Sequence, residues 1–148
     1  MTDVIVLDSG PLGQVAHPRR RAEVTEWLNR LVQSNIAIVI PEIADYEVRR
    51  ELIRAGRLRS AERLTELREQ FFFLIIQSEC MLIAAEFWAH ARNQGVPTAP
   101  DGHLDADVIL AAQARTLVNL GHDVIIATTN TRHLSRFVPA QFWLDIKP

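Results

Sequence analysis

Five residues stand out for the chemistry they could do together. They are Asp8 at the end of "DVIVLD", Glu47 in "PEIADYEVRREL", Asp105 and Asp107 in "HLDADVILAAQA", and Asn130 in "TTNTRH". Carboxylates gathered in one place raise each other's pKa and repel unless a cation compensates. With only oxygen ligands on offer, that cation is a hard one, Mg²⁺ or Mn²⁺. Zinc is disfavoured, because His17, His90, His103, His122 and His133 are scattered and Cys80 is the single cysteine. A carboxylate-held Mg²⁺ supplies what phosphodiester hydrolysis needs: neutralised phosphate oxygens, hydroxide near neutral pH and a stabilised leaving oxyanion.

Each residue also has an ordinary reading. Asp8 can start a turn, and Glu47 can be an exposed helical glutamate, with Glu42, Asp45 and Glu51 equally available by composition. Asp105 followed by Asp107 makes a good helix start by itself, one acid capping and the other meeting the helix dipole. Residues two apart do not share a helix face. If both acids serve a metal, one must do so from the cap. Asn130 can be a turn residue, and nothing in the sequence aims His133 at a site.

The elements that would position these residues follow from hydrophobic patterning. "DVIVLD", "IAIVI" (residues 36–40), "FFLIIQ" (72–77), "DVIIATT" (123–129) and, weakly, "FWLDI" (142–146) read as strands. Helices are expected over 22–32, from Pro41 to a stop at Gly56, over 58–71, up to Gly95, and from Asp105 to about Leu120. "VPTAPDGH" reads as a loop. Strands alternating with helices imply a single three-layer α/β/α domain over residues 1–148, with a mostly parallel central sheet of four to five strands. In such sheets ligands collect beyond the carboxyl ends of the strands. Acids from four separate segments could therefore meet at one end.

Composition narrows the classes. With 148 residues, nearly half of them apolar, the chain can bury a proper core. Its near-balanced charge, 16 basic against 18 acidic residues, carries no nucleic-acid signal. All but one of the basic residues are arginine, and the exception is Lys147, so a mechanism needing a mid-chain lysine is excluded. Codon bias accounts for the arginines as well as phosphate recognition does. "MTDVIV" has an acid where a leader would carry positive charge, and "FFFLII" is far too short to cross a bilayer. With no second cysteine for a disulfide, a cytoplasmic location is expected, with no membrane association.

In order and on these elements, the motifs resemble the PIN-domain family, and within it the VapC-type toxins of toxin–antitoxin pairs. The likeness rests on "VLDSGPL", on Glu47 in "IVIPEIADYEVRREL", on "DVILAAQA" with Leu110 where the family has isoleucine, and on "TTNTRHL". The resemblance implies a metal-dependent endoribonuclease leaving a 5′-phosphate and a 3′-hydroxyl. Asp8, Glu47 and Asp107, assisted by Asp105, would hold one or two Mg²⁺ or Mn²⁺ ions. Thr128 and Asn130 would position water or a ligand, and Ser9 would hydrogen-bond a carboxylate. It further implies an RNA substrate held by arginines such as Arg19–Arg21 or Arg49 and Arg50, an antitoxin partner and a homodimer. The family's fourth acidic place is Asn130 here, a neutral ligand or positioning group, so Asp105 would complete the negative charge.

Three other readings compete. A phosphotransferase of the receiver or haloacid-dehalogenase kind needs a lysine near the phosphate, and the phosphatase also needs Asp-x-Asp where this chain has "DSG". A metal-dependent adhesion module needs a second serine where Leu12 stands. The serious alternative is a PIN fold that binds RNA or protein without cleaving. Asn130 permits that reading and three converging acids oppose it.

Overall fold

Val4–Leu7 (β1) has no polar face, and all four residues are buried, so this strand must be covered on both sides. The computed structural model describes residues 1–95 and 101–148, with residues 101–103 in backbone only. In it β1 lies at the centre of a five-stranded, wholly parallel sheet of order β3-β2-β1-β4-β5. The other strands are Ala37–Pro41 (β2), Phe72–Leu74 (β3), Val124–Thr128 (β4) and Ala140–Phe142 (β5).

Alternate residues of β1 divide the core into two layers. Val4 and Val6 face the cluster formed with Ser78–Asn93 (α5) and Asp101–Asn119 (α6). Ile5 and Leu7 face the cluster formed with Ser9–Ala16 (α1), Ala22–Gln33 (α2) and Leu58–Gln70 (α4). Glu42–Arg54 (α3) straddles the two, giving Ile43 to one and Ala44 to the other. Trp27 closes the second layer, its ring edge-on to Trp143 at 5.2 Å and its Nε1–H donating to the Ile146 carbonyl at 3.2 Å. A short helix, Thr131–Leu134 (α7), follows β4.

The three-layer α/β architecture is as expected; several boundaries are not. Pro41 ends β2 instead of opening α3, which starts at Glu42. The third strand stops at Leu74, because β3 is an edge strand with a partner on one side only. The fifth is Ala140–Phe142, after which Trp143–Asp145 turns as a 3₁₀ helix and carries Trp143 inward onto Trp27. The loop expected over 96–103 lies outside the described residues as far as Pro100, and from Asp101 the chain is already helical. Among the described residues no helix is long and apolar enough to cross a membrane.

Candidate functional site

The chain runs from β1 outward to β2 and β3, then returns past β1 to β4 and β5. The carboxyl ends of β1 and β4 therefore flank a topological switch point, where a crevice opens in a parallel sheet. Asp8 stands there, between β1 and α1, and both its carboxylate oxygens are held. The Ser9 backbone N–H donates to Oδ1 at 2.7 Å, and the buried Thr128 hydroxyl, at the end of β4, donates to Oδ2 at 2.7 Å. Thr128 Oγ1 in turn accepts the Asn130 N–H at 2.9 Å. This chain of bonds fastens the two strand ends together and fixes one carboxylate orientation. Gly10 lets α1 come that close: a Cβ there would lie 3.2 Å from Thr129 Oγ1.

The acids of α3 sort themselves by partner. Glu42 Oε1 accepts the Ile76 N–H at 2.8 Å, tying the exit of β3. Buried Asp45 takes a two-pronged bond from Arg49, Nε to Oδ1 at 2.9 Å and Nη2 to Oδ2 at 3.0 Å. Glu51 is bonded by Arg54 on the outer surface. Glu47, half-buried, is the one that faces the crevice. Its pKa is pushed up from the ordinary 4.5 to about 7, by burial first, then by the charge of Asp8, with Asp107 adding to it and Arg50 opposing. Three carboxylates from three elements therefore share one electrostatic neighbourhood.

This sets a pH dependence. The folded chain holds a proton on Glu47 more tightly than the unfolded chain does. The associated stability is present in full below about pH 4.5 and lost as pH rises through about 7. Thermal scans in EDTA should show the chain losing more stability than Glu47→Gln between pH 5 and pH 8. Allowing for solvent screening of a half-exposed group, the difference is about 1 kcal/mol, roughly 2–4 °C. Equal behaviour of the two proteins would mean that Glu47 does not feel its neighbours.

The same architecture recurs in solved toxin–antitoxin complexes. A chain of VapBC2 from Rickettsia felis, solved bound to a DNA fragment from their promoter, matches with a TM-score of 0.74 at 13% identity, covering 93% of this chain and 97% of that one. A chain of VapBC-1 from nontypeable Haemophilus influenzae matches at 0.69 and 19% identity, covering 95% and 98%. One of FitAcB from Neisseria gonorrhoeae matches at 0.65 and 20% identity, covering 96% and 99%. The chain has a PIN-type fold. At these identities the likeness is one of fold, and no protein-family model or curated protein matches the sequence.

Within this PIN-type fold the remaining sequence candidates separate. Asp105 does not cap α6, which begins a turn earlier, and it does not join Asp107. Two helical residues apart points them about 200° from one another. Asp105 is exposed in a groove beside Met81 and Trp88, while Asp107 is half-buried and felt by Glu47. Asn130 is exposed and precedes α7 without a side-chain cap bond. His133 stands beside Arg136, 3.4 Å from its Nη2. Arg49 is committed to Asp45 and, through Nη1, to Thr65 Oγ1 at 2.9 Å; Arg21 pairs with Glu23 at 2.7 Å. Trp88 is exposed, with Arg92 over its ring. Among the described residues, no group of three or more Asp, Glu, His or Cys side chains stands close enough together to hold a metal ion as it is.

Thr128 is the positioning residue that geometry adds most to. Thr128→Val keeps its shape but leaves Asp8 Oδ2 and the Asn130 N–H without their shared partner. A loss of roughly 1–3 kcal/mol is expected in denaturant titration. Serine at the same position should restore most of it. Equal stability of the Val and Thr forms would show that the bond does not hold the crevice together.

Proposed function

We propose that the chain is a metal-dependent endoribonuclease, the toxin component of a toxin–antitoxin pair. One observation carries the reading: Glu42, Asp45 and Glu51 are each engaged elsewhere, while half-buried Glu47 has its pKa raised by burial first and then by the charges of Asp8 and Asp107. An all-oxygen donor set of this kind fits Mg²⁺ or Mn²⁺. Asp8, Glu47 and Asp107 would hold the cation, and like charges that keep apart without it would draw together around it. Asp105 lies on another face of α6, so this reading leaves it out of the ligand set. The cation would supply charge neutralisation at the scissile phosphate and acidify water there.

The chain's own groups do the rest. Thr128 and the Ser9 N–H hold Asp8 in one orientation, so the carboxylate need not be ordered when substrate arrives. Glu47 keeps a proton until a cation or higher pH removes it. Asn130, exposed at the rim beyond β4, is placed to meet substrate or water. An RNA substrate, an antitoxin partner and a homodimer belong to the same proposal, supported by the fold shared with the VapBC and FitAB chains.

Asn130, an amide where a fourth acid could stand, favours one other reading, a PIN-type module that binds without cutting. A mixed pool of structured RNA separates the two. The nuclease should yield 5′-phosphate products with Mn²⁺ or Mg²⁺ and none with EDTA. Intact RNA under both conditions, from folded protein freed of any co-purified inhibitor, would favour the binding module.

A further inference from the structure

At the opposite ends of α1 and α3 from the acids lies a second concave feature, a cavity of about 470 Å³. It is lined by His17 and Arg19 just beyond α1, and by Gly56, Arg57, Arg59 and Ser60 at the turn into α4. Among the described residues no carboxylate pairs with Arg19, Arg57 or Arg59. The first turn of α4 holds no acid, so its positive end faces the same arginines instead of being offset. One turn along α4 from Arg59, Arg63 has its Nε buried without a hydrogen-bond partner. Arg20 beside it is half-buried, and its pKa is lowered by burial and by the charge of Arg63. Arginines without carboxylate partners around one cavity make a positively charged surface, suited to an anion that can accept from their forks.

We propose that this cavity is a second phosphate site, holding the backbone of the RNA a few nucleotides from the bond to be cut. The inference rests on the ribonuclease reading, and the path between the two places supports it. Asp8 to His17 along α1 and Glu47 to Gly56 along α3 each span nine residues, about 14 Å at helical rise. Two helices thus lead in parallel from the acids to the arginines, over a length of roughly four stacked nucleotides of one strand at ~3.4 Å each. Arginine forks suit phosphate oxygens, and arginines make up the charged part of the lining, so the main contact is to the backbone and blind to sequence.

The test uses a fluorescent 12-nucleotide oligouridylate, with binding read by anisotropy in EDTA between 50 and 200 mM salt. Arg57→Ala/Arg59→Ala should bind about tenfold more weakly at the lowest salt. Its plot of log affinity against log salt should be shallower by about 1.4, two contacts at ~0.7 each. Its melting temperature should be unchanged, because both side chains are exposed. Arg57→Lys/Arg59→Lys should keep the slope. Unchanged affinity and slope in the alanine variant would overturn the proposal. So would failure of the unmodified chain to bind the oligonucleotide, including the case where it binds a polyglutamate 12-mer instead. Cleavage is scored separately: loss of binding in the variant of a chain that never cuts RNA would sink the nuclease reading and leave the phosphate site standing.

Discussion

Asp107→Asn is expected to lower metal-dependent RNA cleavage by at least about a hundredfold while the chain stays folded. The magnitude follows from the several kcal/mol of transition-state charge stabilisation a metal supplies, at about 1.4 kcal/mol per factor of ten. The fold should survive because Asp107 is half-buried on a helix whose described buried residues are leucine, valine and alanine apart from Gln113. A second effect has the opposite sign. Removing this charge takes away one of the causes that raise Glu47, so the metal-free variant should lose less stability than the parent as pH rises from 5 to 8. Together the two readouts separate a ligand from a helix residue. A variant that cuts RNA at the parental rate, with the parental pH profile, would remove Asp107 from the site.

Arg49→Ala is expected to cost about 2–4 kcal/mol, or roughly 6–12 °C in melting temperature. Asp45 is buried, and Arg49 satisfies both its oxygens while bracing α3 against Thr65 of α4. Taking away one partner of a buried pair leaves an uncompensated charge, at a cost of ~3–5 kcal/mol when fully enclosed. Arg49 keeps 26% of its side-chain exposure, which lowers the figure. Lysine should rescue only part, since it cannot make the fork. Asp45→Ala/Arg49→Ala should be more stable than Arg49→Ala alone, because the stranded carboxylate is gone. Thermal scans of the four proteins check this; an Arg49→Ala chain as stable as the parent would show that the pair does not brace α3. The bracing matters for function because the same turn of α3 carries Glu47.

Much of this arrangement was legible in the sequence, and the failures have physical causes. β1, β2 and β4 are unbroken apolar runs, and such runs must be buried on both faces. The strand order was not legible, since nothing in a run of valines says which strand lies beside it. Yet that order makes the ends of β1 and β4 neighbours and gives Asp8 its bond from Thr128. Spacing alone did not single out Glu47: Asp45–Arg49, Glu47–Arg50 and Glu51–Arg54 all have helical pairing distances. The partner that removes Glu42, the Ile76 N–H, lies 34 residues away and could not be read. The two-residue spacing of Asp105 and Asp107 did foretell that they cannot share a face. The start of α6 was misplaced because the Gly and Pro of "VPTAPDGH" mask a helix already under way at Asp101. Nothing in the sequence says that the missing Cβ of Gly10 admits Thr129, because that neighbour comes from the far end of the chain.

The claim on which the account turns is that Asp8, Glu47 and Asp107 make one cation site. It is tested most directly by titrating Mn²⁺ into the RNA-free chain at pH 8, where Glu47 has given up its proton, and following the electron paramagnetic resonance of the unbound ion. The account predicts that one or two ions per chain disappear from the free signal, and that Asp8→Asn returns them. Identical titrations for the chain and the variant would contradict it.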